Sequence, residues 1–135
     1  MKKLNCLVIS ILVCISNVLS AQNQFKDCSA VFLNNKMVVN EYSTKGKCLL
    51  AATASGKLTV NTAELSETGG KAKDKIPFKI AIRDKNTKTL VSFSEQIFSE
   101  INIQNVMKKC NKGDHIVVLT TDRQHALPHN EILVM

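Results

Sequence analysis

Through most of the chain, apolar and polar residues alternate at every second position in short runs bounded by turn residues, the period of a half-buried strand. The alternation is cleanest over residues 76–83, where Phe78, Ile80 and Ile82 share one face and Lys79, Ala81 and Arg83 the other. Asp84-Lys85-Asn86 then turns the chain, and residues 87–93 return with Thr89, Val91 and Phe93 aligned, which predicts a hairpin. A second hairpin is predicted from residues 29–33 and 37–42 across Asn34-Asn35-Lys36, because asparagine tolerates the left-handed backbone of a tight turn. A third is expected from residues 48–54 and 57–63 around Ser55-Gly56, with Leu58, Val60 and Thr62 facing inward and Lys57, Thr59 and Asn61 the other way. Residues 64–75 carry Gly69-Gly70, three lysines, three acids and no large apolar residue after Leu65, the composition of a mobile loop.

The period changes after residue 100. Ile103, Val106, Met107 and Cys110 recur at helical spacing behind a potential Asn102 cap, with Lys108, Lys109 and Lys112 toward the end and Gly113 as a stop. This predicts one short helix near residues 103–110. Residues 116–119 are continuously apolar and suit a central buried strand, and residues 132–135 supply a last strand after Pro128. No repeat of 20 to 50 residues is visible, which speaks against a solenoid or propeller. The pattern therefore predicts a mainly β fold: an antiparallel, immunoglobulin-like sandwich of about seven to eight strands with that one helix.

The start of the chain is of another kind. Met1-Lys2-Lys3 precedes an apolar stretch over residues 4–19, then Ser20-Ala21 and the polar Gln22-Asn23-Gln24, the layout of a cleaved signal peptide over residues 1–21. The stretch is shorter than the roughly 20 uninterrupted apolar residues of a membrane span. Neither Cys14 nor Cys28 follows the small residues that lipidation requires, so no anchor is expected after cleavage. Removing the leader takes the 135 residues to 114, the charge from +7 to +5 and the cysteines from five to three. Residues 22–135 are then expected to form a single domain in the periplasm or outside the cell, large enough to bury about two-thirds of its unfolded surface. Sixteen lysines against two arginines and twelve asparagines resemble the usage of an AT-rich bacterial genome, and the Ala-Gln junction resembles leaders of Bacteroidota.

Three cysteines in an oxidising compartment suggest one disulfide and one leftover thiol. Cys28 and Cys48 flank the first hairpin, and their bridge would close about 20 residues and stabilise by ~3 kcal/mol on the chain-entropy account. A pair including Cys110, or no bridge, stays open, although Cys110 continues the apolar stripe of the helix and reads as a small buried hydrophobe. Asp122, His125 and His129 are close in sequence, but Pro128 prevents the helix that would stack the two histidines, so no metal site is expected. No motif of a hydrolase, zinc protease or phosphate-binding loop occurs, and neither an enzyme nor a cofactor is predicted. Lys71, Lys73 and Lys75 alternate along the predicted loop and form the candidate contact site for a protein or an anionic envelope component. Nucleic acid is not an expected partner, because there is no tryptophan and one tyrosine, and no aromatic residue is interleaved with the basic clusters.

One stretch carries a resemblance. Phe78-Lys79-Ile80-Ala81-Ile82 with its hairpin, then Lys108-Lys109-Cys110-Asn111-Lys112-Gly113-Asp114 leading into Ile116-Val117-Val118-Leu119, resembles the periplasmic β-sandwich repeat domains of the Bacteroidota gliding and type IX secretion machinery. In such domains a strand, a short helix and a Lys-x-Gly-Asp-like turn feed a buried strand. The resemblance spans under half of the mature chain and implies the sandwich more than the function. The expected role is an exported, non-catalytic binding or accessory protein of the bacterial envelope. The alternative is an inhibitor or immunity protein that blocks a secreted enzyme through a surface loop.

Overall fold

The computed structural model describes residues 28–66, 69–122 and 124–135, so the expected leader, with Cys6 and Cys14, lies outside the described residues. In chain order the elements are β1 (Ser29–Leu33), β2 (Lys36–Met37), β3 (Leu49–Leu50), β4 (Lys57–Ser66), β5 (Gly69–Lys75), β6 (Phe78–Arg83), β7 (Leu90–Ser92), β8 (Ile101–Asn102), α1 (Ile103–Met107), β9 (His115–Thr120) and β10 (Glu131–Val134). They form two sheets. The first has the order β2-β1-β4-β5, with β8 also on β4, and the second runs β3-β10-β9-β6-β7. The fold is mainly β, as the alternation requires.

The inward faces of the two sheets meet in one core. Val31, Leu58 and Val60 come from the first sheet, and Phe78, Ile80, Ile116, Val118, Ile132 and Val134 from the second. Each such side chain contributes roughly 1.5–3 kcal/mol relative to exposure. Ile103, Val106 and Met107 of α1 join them, which uses the helical stripe as predicted. Asn102 caps the helix by accepting from the Gln104 N–H at 3.0 Å. The helix is shorter than residues 103–110, because after Met107 the chain tightens: the Lys109 and Cys110 N–H groups bond the carbonyls three residues back, on Val106 and Met107.

Some expectations about pairing are corrected. The first hairpin forms with Leu33 opposite Lys36, and Asn34 and Asn35 both take positive φ, as a two-residue turn demands. The hairpin expected between residues 48–54 and 57–63 does not form. Instead β3 joins the edge of the second sheet, parallel to β10, while β4 pairs with β1. The turn at Gly56, whose φ is 118°, carries the chain between the sheets. Asn34 holds it there, accepting from the Lys57 N–H at 3.0 Å and donating to the Ser55 carbonyl at 3.3 Å. Among the described residues the sheets number ten strands rather than seven or eight, and the β3–β10 pair breaks the antiparallel rule.

The stretch expected to be a mobile loop, residues 64–75, is the last three residues of β4, residues 67–68, which lie outside the described residues, and β5. Its alternation of small and charged residues is a strand pattern: Gly70 and Ala72 are half-buried while Lys71 and Lys73 face water. The β4–β5 ladder slips by one residue between Asn61 and Ala63. That bulge orphans a carbonyl and an N–H on β5, and β4 side chains satisfy both. Asn61 Nδ2 donates to the Lys73 carbonyl at 3.2 Å, and Thr62 Oγ1 accepts from the Asp74 N–H at 3.0 Å. Thr59 Oγ1 in turn donates to Asn61 Oδ1 at 2.6 Å. Thr59 and Asn61, expected on an open face, are 7% and 4% exposed.

The open face of the first sheet is closed by its own curl. Ala30, Phe32 and Ala63 form a second small core, against which Met37, Tyr42, Leu65 and Ala72 pack. β2 comes up against β5, and Met37 lies over Gly70 so closely that a Cβ there would meet its methyl group. The second sheet does the reverse at the β6–β7 hairpin. Ile82, expected on the core face, is only half-buried, and Val91 opposite it is 60% exposed. The hairpin runs past the end of the core.

Candidate functional site

Tyr42, the chain's single tyrosine, stands where the two sheets meet. Its hydroxyl donates to the Ser29 carbonyl at 3.0 Å, tying the chain after β2 back to the start of β1. Burial, and then the neighbouring Cys28 thiol, push its pKa up to about 12, so the phenol stays a protonated donor. The His129 ring meets Tyr42 edge-on, with centroids 5.1 Å apart and planes at 67°. His129 Nε2 lies 2.7 Å from the Ser43 carbonyl. A carbonyl only accepts, so Nε2 carries the proton. In the neutral ring Nδ1 is then an acceptor, and it is buried without a hydrogen-bond partner among the described residues. Cys48 closes the cluster, its Sγ donating to the His129 carbonyl at 3.6 Å. Burial raises its pKa to about 11, which leaves a thiol and not a nucleophilic thiolate at neutral pH.

Two clefts flank this tyrosine. One, of about 660 Å³, lies between β2 and β5, with Met37, Tyr42, Leu65 and Gly70 on its walls and the polar Lys36 and Glu41 beside them. The other, of about 600 Å³, lies between the chain after Tyr42 and the approach to β10, and it takes in Cys48, Pro128 and His129. Both have the size of a pocket for a small molecule or a side-chain anchor.

The predicted site residues divide. Cys28 and Cys48 both belong to this neighbourhood, but Cys28 precedes β1 in the first sheet and Cys48 precedes β3 in the second. Cys48 is a free thiol, so the expected bridge is not formed. Cys110 is half-buried and free, and burial and then the Asp114 carboxylate push its pKa up to about 11. Lys71, Lys73 and Lys75 all point outward from the edge strand β5, as a contact row would. Two of them have anions of their own: Lys73 reaches Glu64 at 3.9 Å and Lys75 reaches Glu100 at 3.1 Å, where Lys57 is also bound at 3.3 Å. Lys75 and then Lys57 hold the Glu100 carboxyl below its ordinary range, and the pairs together thin the basic field of the strand. Asp122 and His125 meet at 2.7 Å, and the Gln124 N–H together with His125 holds the Asp122 carboxyl low. His129 turns away from them to Ser43 and Tyr42, so the three do not converge.

The Tyr42–His129 contact joins residues 87 positions apart and left no local pattern in the chain. The one available signal was that a lone tyrosine sat at the end of a predicted strand. Comparison with protein-family models, curated proteins and solved structures finds no match for this chain.

Proposed function

We propose that the chain is an exported, non-catalytic binding protein of the bacterial envelope, an immunoglobulin-like β-sandwich following a cleaved leader over residues 1–21. The observation that carries this is the cleft between β2 and β5, where an apolar wall of Met37, Tyr42 and Leu65 stands beside exposed Lys36 and Glu41. Such a surface suits a protein segment that inserts an apolar anchor and pairs its flanking charges. A protein is preferred to an anionic polymer, because Lys73 and Lys75 are already engaged by Glu64 and Glu100. Tyr42 and Cys48, which line the clefts, are both held protonated, which suits recognition better than proton transfer. The resemblance of residues 78–119 to envelope sandwich repeats supports the sandwich more than the role.

The test is crosslinking and capture from the native envelope with the wild-type protein and with Lys36→Glu/Glu41→Arg, which reverses the charges beside the cleft. Wild type is expected to hold one partner at least about tenfold better than the variant. Equal recovery by both would overturn the assignment.

A second reading is favoured by the β4–β5 ribbon, which is paired over most of its length and not a loose loop. A paired two-stranded ribbon that exposes Lys71 and Lys73 suits an inhibitor or immunity protein that presents it to an enzyme's active site. Lys71→Glu/Lys73→Glu should then abolish inhibition while leaving envelope association intact.

A further inference from the structure

The free edges of the two sheets differ in what guards them. β5 carries Lys71, Lys73 and Lys75 at alternate positions of its second half, and β2, β3 and β8 are two residues long. Charge and shortness are the usual protections of an edge against pairing with another strand. β7, at three residues, is only one residue longer than β2, β3 and β8, but it has neither charge nor cover. It pairs only with β6, and its Leu90, Val91 and Ser92 are all exposed, Leu90 at 44%.

Its hydrogen bonds show which groups are left over. The Thr89 carbonyl accepts from the Asp84 N–H and the Phe93 N–H donates to the Ile80 carbonyl, both at 2.9 Å, with Val91 opposite Ile82 between them. Positions 89, 91 and 93 therefore face β6, and the antiparallel alternation turns the N–H and C=O of Leu90 and Ser92 to the open side. Two such residues flanking one central residue make a self-complementary edge. Set antiparallel about a two-fold axis through Val91, Leu90 of each copy lies opposite Ser92 of the other and four backbone hydrogen bonds close. Val91, the most exposed large apolar side chain among the described residues, then meets its own symmetry mate, with Ile82 of each copy behind it.

The charges agree with this register. Lys88 lies three residues before Val91 and Glu95 four residues after it. Both are exposed, and neither has an ion pair among the described residues. The two-fold axis brings the Lys88 end of one copy alongside the Ser94-Glu95 step of the other. A parallel pairing would set like charge against like.

We infer that β7 is the pairing edge of a homodimer, in which two copies join their second sheets into one continuous sheet across a two-fold axis at Val91. β7 shares no residue with the clefts at Tyr42, so self-pairing and partner binding stand or fall separately.

Sedimentation of the purified protein over a concentration series, with Val91→Arg and Lys88→Glu, tests the dimer. Val91→Arg should raise the dissociation constant by at least about tenfold. Lys88→Glu should weaken the dimer, and Lys88→Glu/Glu95→Lys should restore it. The register is tested by oxidising Val91→Cys and Ser92→Cys against wild type. A position-91 pair on the axis has Cα atoms about 4.5 Å apart, within disulfide reach, whereas position 92 faces Leu90 and not its own mate. Val91→Cys should crosslink to a dimer, and Ser92→Cys should not exceed wild type. A protein that stays monomeric throughout, a dimer indifferent to Val91→Arg, or equal crosslinking at positions 91 and 92 would overturn the inference.

Discussion

The two sheets treat their outer faces in opposite ways. On the first, Phe32 is wholly buried, and the polar Thr59 and Asn61 are nearly so. On the second, Leu90 and Leu119 stand in solvent while Arg83 and Glu131 pair at 2.8 Å beside the buried Val117. The difference comes from curvature. The bulge in β4–β5 bends the first sheet until β5 meets β2, and the small core under that curl hides whatever lies on the concave side, polar or apolar. Among the described residues the named strands of the second sheet pair without such a shift, and its β6–β7 end stays open. Exposure in this protein is thus set by how each sheet bends more than by the residue types it presents.

Mutations can break that contrast. The largest effect is expected from Phe32→Ala, which empties a closed site and should cost roughly 3–5 kcal/mol in urea denaturation. Leu90→Ala at the open hairpin should stay within about 0.5 kcal/mol. Similar losses from the two would mean that the faces are not different. Asn61→Leu comes next: the Lys73 carbonyl loses its donor and the Thr59 hydroxyl its acceptor, at a cost of about 1–3 kcal/mol. A neutral result there would show that the bulge does not depend on the amide.

The seam between the sheets should show itself in pH dependence. Tyr42 is raised from an ordinary 10.0 to about 12, and Cys48 from 9.0 to about 11. Groups with raised pKa values stabilise fully below their unfolded values. That stability is lost as pH climbs, because the unfolded chain ionises first. Stability should therefore hold from neutral pH to about 9 and fall between about 9 and 12, with Tyr42→Phe and Cys48→Ala each flattening the fall. A fall unchanged in both variants would place the titrating groups elsewhere. The smallest effect is expected from Glu131→Gln, at about 0–1 kcal/mol, since its partner Arg83 is one-third exposed.

Much of this was legible in the chain. The period-2 runs at residues 57–63 and 78–83 and the apolar runs at residues 29–33 and 116–119 are strands, Asn34-Asn35 is a tight turn, and Asn102 is a cap, because each depends on groups within a few residues of one another. The pairings that failed needed long reach. Residues 48–54 looked like the partner of β4, and nothing local says that Leu49-Leu50 would sit beside β10 at the far end of the chain. The low-complexity look of residues 64–75 hid a strand because its inward positions are Gly70 and Ala72, small for a reason only Met37 and the curl of the sheet explain. The candidate site was the least legible part. Lys71, Lys73 and Lys75 were visible as a row, but the anions that pair with two of them were not, and Tyr42 meets His129 only through the fold.

Alternation, turn chemistry and capping thus settled, from the residues alone, that the chain would be mainly β with one short helix, since these are matters of local backbone geometry. Which strands would be neighbours, which face would close and which edge would stay bare were decided by tertiary structure. A bulge, a crossover between sheets and a core of limited extent act on residues far apart in the chain, and no local pattern carries them.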